Sequence, residues 1–236
     1  MSARRRVAVI GAEGRLGRHA CELLESSAEF ELVARIGRGD ALEAAVRAAR
    51  AELAFESTRA GLGFEHAERL LRAGVRPLVA TSGVTPEENE RLDALARGLG
   101  LGGLVVPNFS VGSWLLQRLS AEAARWFERA EIVELHHDKK RDAPSGTALE
   151  TARRMRAERG EGAREVPIHS VRLPGLYAHQ EVLFGAPGEV LTLRHDMSGP
   201  DAFGPGILAA LRHVATASGV GRGLDAVFAR GVPTAN

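Results

Sequence analysis

The chain has 236 residues, of which 44% are hydrophobic and 26% are charged, and its formal net charge at pH 7 is +1. This balance is typical of a folded globular protein rather than a disordered or fibrous one, and it provides no strong field that would attract nucleic acid. The single Cys21 excludes an intrachain disulfide and a cysteine-rich zinc site, while the apolar run at 7–10 is too short for a signal peptide or a membrane span. We therefore expect a soluble cytoplasmic protein.

The first half of the chain alternates short apolar runs with longer amphipathic stretches. Short apolar runs bounded by turn residues predict strands, and apolar residues recurring every three or four positions predict helices. In chain order the predicted elements are a strand at 7–10, a helix at 16–24, a strand at 30–36, a helix at 40–51, a strand at 53–55, a helix at 64–71, a strand at 77–80, a helix at 85–98 and a strand at 104–106. Thr85, Pro86 and Glu88 give the helix at 85–98 a capping box. The alternation predicts an α/β domain of Rossmann type with a parallel sheet.

A glycine-rich turn joins the first predicted strand to the first predicted helix. Gly11, Gly14 and Gly17 have the spacing G-x-x-G-x-x-G, which differs from the G-x-G-x-x-G of many dinucleotide sites. A turn without side chains lets a pyrophosphate approach backbone N–H groups at a helix N-terminus. Glycines also occur in tight turns that bind nothing, but the position between strand and helix favours a nucleotide site.

The end of the second predicted strand bears on which nucleotide binds. An acidic residue there would hold the ribose hydroxyls of NAD, but Ile36 is followed by Gly37 and Arg38. A guanidinium pairs with two phosphate oxygens at once, so Arg38 suits the 2'-phosphate of NADPH, with Arg35 as a second contact. The alternative is that both arginines are solvated surface charges. We predict NADPH as the preferred cofactor, with NADH also used.

After Pro107 the pattern changes. The predicted elements are a helix at 113–127, a strand at 131–135, a helix at 147–157, strands at 168–173, 180–184 and 190–193, and a last helix at 207–218. Strands that follow one another in sequence predict an antiparallel or mixed sheet with helices on one face. We therefore predict a dinucleotide-binding domain of residues 1–107 and 207–236 and an inserted α+β domain of residues 108–206. The charged, glycine-rich segment 158–164 is predicted to be a mobile surface loop.

The segment 134–149, ELHHDKKRDAPSGTAL, is the richest in chemical groups. It combines two histidines, a lysine cluster and a Ser-Gly-Thr turn that opens a helix, so an acid, a cation and anion-binding amides can meet at one small ligand. By themselves, an adjacent histidine pair and a run of charges also occur on solvated surfaces. No metal is predicted, because adjacent histidines diverge and no third zinc ligand has a useful spacing.

Four blocks of the chain resemble the dihydrodipicolinate reductase family, also called 4-hydroxy-tetrahydrodipicolinate reductases. The blocks are GAEGRLG at 11–17, ATSG at 80–83, PNFSVG at 107–112 and the segment 136–148, which is close to a family signature. The resemblance covers nearly the whole chain. It implies reduction of the dehydrated form of 4-hydroxy-tetrahydrodipicolinate, a small cyclic dicarboxylate, to tetrahydrodipicolinate by NADPH or NADH in lysine and diaminopimelate biosynthesis.

The resemblance also implies a role for each polar residue that matches in the last block. His136 is the general acid or base, and Lys140 is the second proton donor. His137 contacts the substrate, while Gly146 and Thr147 bind a substrate carboxylate. Because successive side chains of a strand point to opposite faces, both histidines can serve one pocket only if the strand ends near His136.

The cofactor contacts are expected from the turns that follow the strands of the first domain. They are Gly11, Ala12, Glu13, Gly14, Arg15, Leu16, Arg38, Ala80, Thr81, Ser82, Val106, Pro107, Asn108 and Phe109. By resemblance, Thr81 and Ser82 line the nicotinamide and its ribose, and Asn108 and Phe109 lie at a hinge beside the ring. Closure of the two domains would then bring donor and acceptor together and exclude water. The inserted domain would bind the substrate and, as in the family, assemble a homotetramer through its sheet.

Three segments depart from the family pattern. The family's Phe-Thr pair is replaced by FESTR at 55–59, which adds the carboxylate of Glu56 near the expected cofactor. The family's Gly-Glu-His reads AHQ at 178–180, and its Ser-Arg pair reads SGP at 198–200. A related reductase of another cyclic imine or dicarboxylate is therefore the alternative enzyme. A non-catalytic NADP-binding sensor is the third hypothesis, disfavoured because a sensor needs no proton donors.

Overall fold

The computed structural model describes residues 3–228 of the chain. In that range the strands are β1 (Arg5–Ile10), β2 (Phe30–Ile36), β3 (Leu53–Glu56), β4 (Arg76–Val79), β5 (Gly102–Val105), β6 (Arg129–His136), β7 (Ile168–Arg172), β8 (Ala178–Ala186), β9 (Glu189–Met197) and β10 (Gly219–Arg222). The helices are α1 (Arg15–Glu25), α2 (Leu42–Ala48), α3 (Gly63–Arg72), α4 (Pro86–Gly98), α5 (Val111–Ala124), α6 (Gly146–Arg159), α7 (Gly204–Thr216) and α8 (Asp225–Phe228), and a 3-10 helix covers Pro200–Phe203. None of the described helices is both long and apolar enough to cross a membrane.

The described residues divide into two compact units. The second unit is Ser110–Ala202, and the first contains the described residues before and after it. The ends of the predicted dinucleotide-binding domain, residues 1–2 and 229–236, lie outside the described residues.

The first unit is built around a parallel sheet. Among the described residues its strand order is β10-β5-β4-β3-β1-β2, and all pairs are parallel. The short strands β3 and β5 are buried along their whole length, because α2, α3 and α4 pack on one face of the sheet and α1 and α7 on the other. This confirms the prediction of a Rossmann-like parallel sheet.

The register of this sheet brings the ends of its central strands to one edge. Ile10 at the end of β1 pairs with Ile36 of β2 and with Glu56 of β3, and Glu56 pairs with Val79 of β4. The turns that follow these strands therefore share the carboxyl edge of the sheet, which is where open α/β sheets bind ligands.

The second unit contains a mixed sheet in the order β7-β6-β8-β9. β6 is parallel to β7 and antiparallel to β8, and β8 is antiparallel to β9. α5 and α6 pack on one face, where Ile132, Val182 and Phe184 are fully buried beside Met155 of α6. This confirms the predicted mixed sheet with helices on one face.

Three elements of the first unit differ from their predictions, and one of them is α8, where no helix was predicted. The helix predicted at 40–51 ends at Ala48, because Arg50 adopts the left-handed φ of 47° that a helix does not allow. β10 was not predicted at all, since Gly219–Arg222 is short and contains two glycines, and only its pairing with β5 makes it a strand.

The predicted mobile segment 158–164 is partly wrong. α6 continues to Arg159 and ends where Gly160 takes a φ of 84°. The Arg159 guanidinium donates to the backbone carbonyls of Ala124 at 3.2 Å and Phe127 at 2.8 Å, which anchors this last turn of the helix. Only the residues after Gly160 form a loop.

Candidate active site

The two adjacent histidines lie where β6 ends. His136 is the last residue of the strand, and His137 begins the following turn. Because side chains alternate along a strand, His136 lies on the same face as Glu134. The Nδ1 atom of His136 contacts a carboxylate oxygen of Glu134, and the two side chains are 14% and 0% exposed. The strand thus ends at the residue that allows both histidines to serve one pocket.

Glu134 is a buried carboxylate with several donors around it. Arg172 of β7 donates from its two terminal nitrogens, at 3.0 Å to Oε2 and at 2.7 Å to Oε1. The backbone N–H of Ser145 donates to Oε1 at 3.3 Å. Neither Glu134 nor Arg172 was predicted as a site residue from the sequence. The available signal was the carboxylate of Glu134 on the inward face of an apolar strand, where charges occur only when they are paired.

These contacts change the proton affinities of both groups. Burial raises the pKa of the Glu134 carboxyl, but hydrogen bonds from Arg172 and Ser170 outweigh it and hold the pKa below its ordinary value. Burial lowers the pKa of His136, and the carboxylate of Glu134 offsets only part of that effect. The positive charges of Lys140 and Arg172 lower the pKa of His136 further. The imidazolium form of His136 therefore gives up its proton readily.

Lys140 returns toward the histidines through a turn. Its backbone N–H donates to the carbonyl of His137 at 3.1 Å, and Nζ donates to both carboxylate oxygens of Asp142 at 2.8 Å. The hydrogen bond from Lys140 lowers the pKa of Asp142, so this carboxylate stays ionised. The lysine side chain is 21% exposed, which leaves the ammonium partly open to a ligand.

The N-terminus of α6 follows this turn directly along the chain. Ser145 caps the helix by accepting a hydrogen bond from the N–H of Ala148 at 3.2 Å, and the first turn holds no acidic residue. Gly146 is exposed, and a Cβ atom there would meet nothing within 4 Å. The first-turn amides and the positive end of the helix dipole therefore offer a site for an anion at Gly146 and Thr147.

The glycine turn of the first unit has the tight geometry that its spacing indicates. Gly11 adopts a φ of 78°, and a Cβ atom there would lie 2.7 Å from the carbonyl oxygen of Ser57. A Cβ atom on Gly17 would lie 2.1 Å from the carbonyl oxygen of Gly11. Gly14 caps α1 without a side-chain hydrogen bond, and the first turn of α1 has no acidic residue. The helix N-terminus therefore fits a pyrophosphate.

The two arginines near the end of β2 have different surroundings. Arg35 forms an ion pair with Glu25 of α1. Arg38 is exposed and has no hydrogen bond or ion pair with any other described residue, while the neighbouring Gly37 N–H donates to Asp40 at 2.7 Å. Arg38 is thus the better placed of the two for a phosphate.

The carboxylate of Glu56 points into the molecule. Its side chain is 0% exposed, and Oε1 accepts hydrogen bonds from the backbone N–H of Thr58 at 3.1 Å and from the Thr58 hydroxyl. His66 of α3 places Nδ1 3.1 Å from the same oxygen. Burial raises the pKa of Glu56, but the hydrogen bonds from His66 and Thr58 outweigh it and leave the pKa lowered. The added carboxylate therefore supports the turn at 57–58, against which Gly11 packs, and does not present a charge to a ligand.

The other predicted cofactor residues differ in how much of each side chain is accessible. The exposed ones are Glu13, Arg15, Ser82 and Pro107, the half-buried ones are Leu16, Ala80 and Asn108, and the buried ones are Ala12, Thr81, Val106 and Phe109. The ring of Phe109 is 2% exposed and packs against Phe55 with a centroid distance of 5.7 Å. Phe109 and Val106 can therefore border a ligand only through their backbone. Among residues 3–228, no group of three or more His, Cys, Asp or Glu side chains could hold a metal ion.

Family models match both parts of the chain. The model described as "Dihydrodipicolinate reductase, N-terminus" matches residues 5–109, and "Dihydrodipicolinate reductase, C-terminus" matches residues 112–228. The 4-hydroxy-tetrahydrodipicolinate reductase of Streptomyces coelicolor is 44% identical over 241 residues, covering 93% of this chain and 96% of the relative. The enzyme of the same name from Coxiella burnetii is 40% identical over 221 residues, covering 88% and 92%.

A solved structure is similar over the same extent. The dipicolinate-bound dihydrodipicolinate reductase from a Paenisporosarcina species superposes with a TM-score of 0.85 at 31% identity, covering 96% of this chain and 100% of that one. The sequence matches and the structural match therefore point to the same family of proteins.

Proposed function

The chain belongs to the dihydrodipicolinate reductase family, and on this basis we propose how its residues carry out the family's reaction. It is an NAD(P)H-dependent oxidoreductase that reduces 4-hydroxy-tetrahydrodipicolinate to tetrahydrodipicolinate in lysine and diaminopimelate biosynthesis. The observation that carries the residue assignments is the meeting of His136, Lys140 and the N-terminus of α6 in one unit.

The substrate is a dianion, and the second unit offers matching positive groups. One carboxylate binds at the first turn of α6, where Gly146 and Thr147 present amides and the Thr147 hydroxyl. His137 provides a further contact at the end of β6. The relative that was solved with dipicolinate, a ring dicarboxylate, supports this class of ligand.

His136 and Lys140 are the residues that donate protons. When bound, the reduced nicotinamide supplies a hydride to a substrate carbon conjugated with the ring nitrogen. Negative charge then develops on that nitrogen and on the neighbouring carbon. One proton balances the hydride: His136 donates it to this charge, while the ammonium of Lys140 stabilises the charge and, as the second proton donor, restores the proton that His136 has given up. The loosely held proton of His136 suits this transfer.

The first unit binds the cofactor, with NADPH preferred over NADH. The unobstructed N-terminus of α1 holds the pyrophosphate, and Arg38 pairs with the 2'-phosphate. The backbone of Thr81 and Ser82 and of the turn at 106–109 borders the nicotinamide and its ribose.

The assembled protein is a homotetramer in the cytoplasm. The face of the mixed sheet opposite α5 and α6 carries no helix of the second unit, and on this face Val190 of the edge strand β9 is 69% exposed. Pairing of this face with further copies would cover Val190. Light scattering should give four times the chain mass, and a monomer would contradict this assembly.

A coupled assay tests the proposed function. A synthase generates the substrate in place, and oxidation of NADPH and NADH is followed separately by absorbance. We expect turnover with both cofactors and a lower KM for NADPH. Binding of NADPH without oxidation would favour the sensor instead, and turnover only with another cyclic imine would favour the related reductase.

A further inference from the structure

The carboxylate of Glu134 has several hydrogen-bond donors around it. It accepts two hydrogen bonds from Arg172 and one from the Ser145 N–H, and it contacts Nδ1 of His136. Its side chain is 0% exposed, so water does not compete for these contacts. A buried carboxylate needs partners beyond a single ion pair, and one partner of Glu134 is the ring of His136.

Arg172 is itself fixed by the backbone. One terminal nitrogen donates to the carbonyl of Val171 and the other to the carbonyl of Asp142, both at 2.7 Å. Arg172 therefore links Glu134 to the loop whose Asp142 carboxylate holds Lys140.

We propose that Glu134 and Arg172 are positioning residues for His136. Glu134 fixes the imidazole with Nδ1–H directed at its carboxylate, so that Nε2 is the atom that exchanges the proton with substrate. Arg172 keeps the carboxylate ionised, which prevents the proton from resting on Glu134. This inference rests on the proposed role of His136 as the acid.

The charges around His136 determine how each substitution should act. Glu134 acts from its own strand, Lys140 from the following loop and Arg172 from β7. Opposite His136 in register on β8 is the uncharged Ala178. α6 contributes the positive end of its dipole through the Ser145 contact with Glu134. Glu134 raises the pKa of His136, whereas Lys140 and Arg172 lower it.

Substitution of Glu134 and substitution of Arg172 should shift the pH profile of kcat in opposite directions. A general acid must be protonated, so activity falls as the pH rises through its pKa. Glu134→Gln removes the group that raises the pKa of His136, so this fall should move to lower pH. Arg172→Gln removes a cation and leaves the carboxylate unshared, so the fall should move to higher pH. Both variants should lower kcat by about tenfold or more. Glu134→Gln no longer holds the ring in one tautomer, whereas Arg172→Gln lets the proton rest on Glu134.

The experiment measures kcat against pH for the full chain and these two variants. Glu131→Gln is the matched control, since Glu131 lies on β6 but is exposed and, among the described residues, forms an ion pair only with His169 at 2.8 Å. It should leave the profile unchanged. Far-UV circular dichroism and thermal unfolding show whether each variant is folded. Profiles that shift in the same direction, or do not shift, would overturn the proposal.

Two further measurements separate this inference from the proposed function. If His136→Gln retains full turnover, the proposed acid is wrong, whatever the positioning residues do. If His136→Gln is inactive, nitrogen NMR of the unsubstituted protein shows which ring nitrogen carries the proton in the neutral form. We expect Nδ1–H. A neutral ring protonated at Nε2 would refute the role of Glu134 without touching that of His136.

Discussion

Arg35 and Arg38 are three residues apart and differ in their ion pairs. Arg35 pairs with Glu25, whereas Arg38 makes no such contact with the described residues. Arg38→Ala should weaken NADPH binding about tenfold to a hundredfold, because hydrogen bonds to charged groups contribute about 1.5–3 kcal/mol, and NADH binding should be unchanged. Arg35→Ala is the matched control and should alter neither. Fluorescence titration with both cofactors measures this, and equal losses for NADPH and NADH would show that Arg38 does not read the phosphate.

Lys139 and Lys140 offer a second comparison between neighbours. Lys140 is half-buried and paired with Asp142, whereas Lys139 is exposed. Lys140→Met should lower kcat by about a hundredfold or more, the usual contribution of a positioned proton donor, with little change in cofactor affinity. Lys139→Met should keep near-normal kcat. Steady-state kinetics decide between them, and similar losses in the two variants would mean that general positive charge, not a specific donor, is what matters.

At the scale of elements, the β1–α1 turn depends on backbone contacts that only glycine permits. Gly17→Ala would place a methyl group 2.1 Å from the carbonyl oxygen of Gly11. The turn must shift, which should lower the free energy of unfolding by about 1–3 kcal/mol and weaken cofactor binding. Gly98→Ala, in α4 with nothing within 4 Å of the new Cβ atom, is the control and should be neutral or slightly stabilising. Denaturant unfolding of both variants tests this, and equal stabilities would contradict the close approach.

The elements that were predicted well are those whose signals are local. The capping box of α4 is present as expected, with the Thr85 hydroxyl accepting from the Glu88 N–H at 3.2 Å and the Glu88 carboxylate accepting from the Thr85 N–H at 2.9 Å. β10 lacked such a signal, because its residues become a strand only beside β5. Element ends also shifted where one residue took an unusual φ, as at Arg50 and Gly160.

At the scale of the whole molecule, paired carboxylates make stability depend on pH. The hydrogen bond from Arg69 lowers the pKa of Glu43 from 4.5 to about 2, and the pKa values of Glu56 and Glu134 are also lowered. A carboxyl with a lower pKa when folded contributes stability above its unfolded pKa and loses that contribution as the pH falls through the folded value. The free energy of unfolding should therefore decline as the pH falls from about 4.5 toward 2.

Glu43→Gln isolates one of these contributions. The Glu43 side chain is 37% exposed, so solvent screens the pair and its effect should be modest. The loss of unfolding free energy between neutral and acidic pH should be smaller in the variant than in the unsubstituted chain, at one protein concentration. An identical loss in both would show that the Arg69 pair does not couple to acid stability.

Sequence by itself determined the order of strands and helices from β1 to β5 and the mixed character of the second sheet, and it predicted the chemistry of the segment 136–148. Each of these depends on residues that are close along the chain, such as the glycines at 11, 14 and 17 or the cap before α4. Propensity, periodicity and turn chemistry act over such short distances, so they can be read without a fold.

Only the tertiary structure decided which charges meet. Arg172 donates to Glu134, which lies 38 residues away in the chain. Glu56 is buried beside His66. Arg35 forms an ion pair with Glu25, whereas Arg38 remains exposed. These outcomes depend on which strands become neighbours and which side chains lose water, and both are set by packing between residues far apart in sequence. The contacts that set the pKa of His136 therefore depend on the pairing of β7 with β6, which the sequence did not predict.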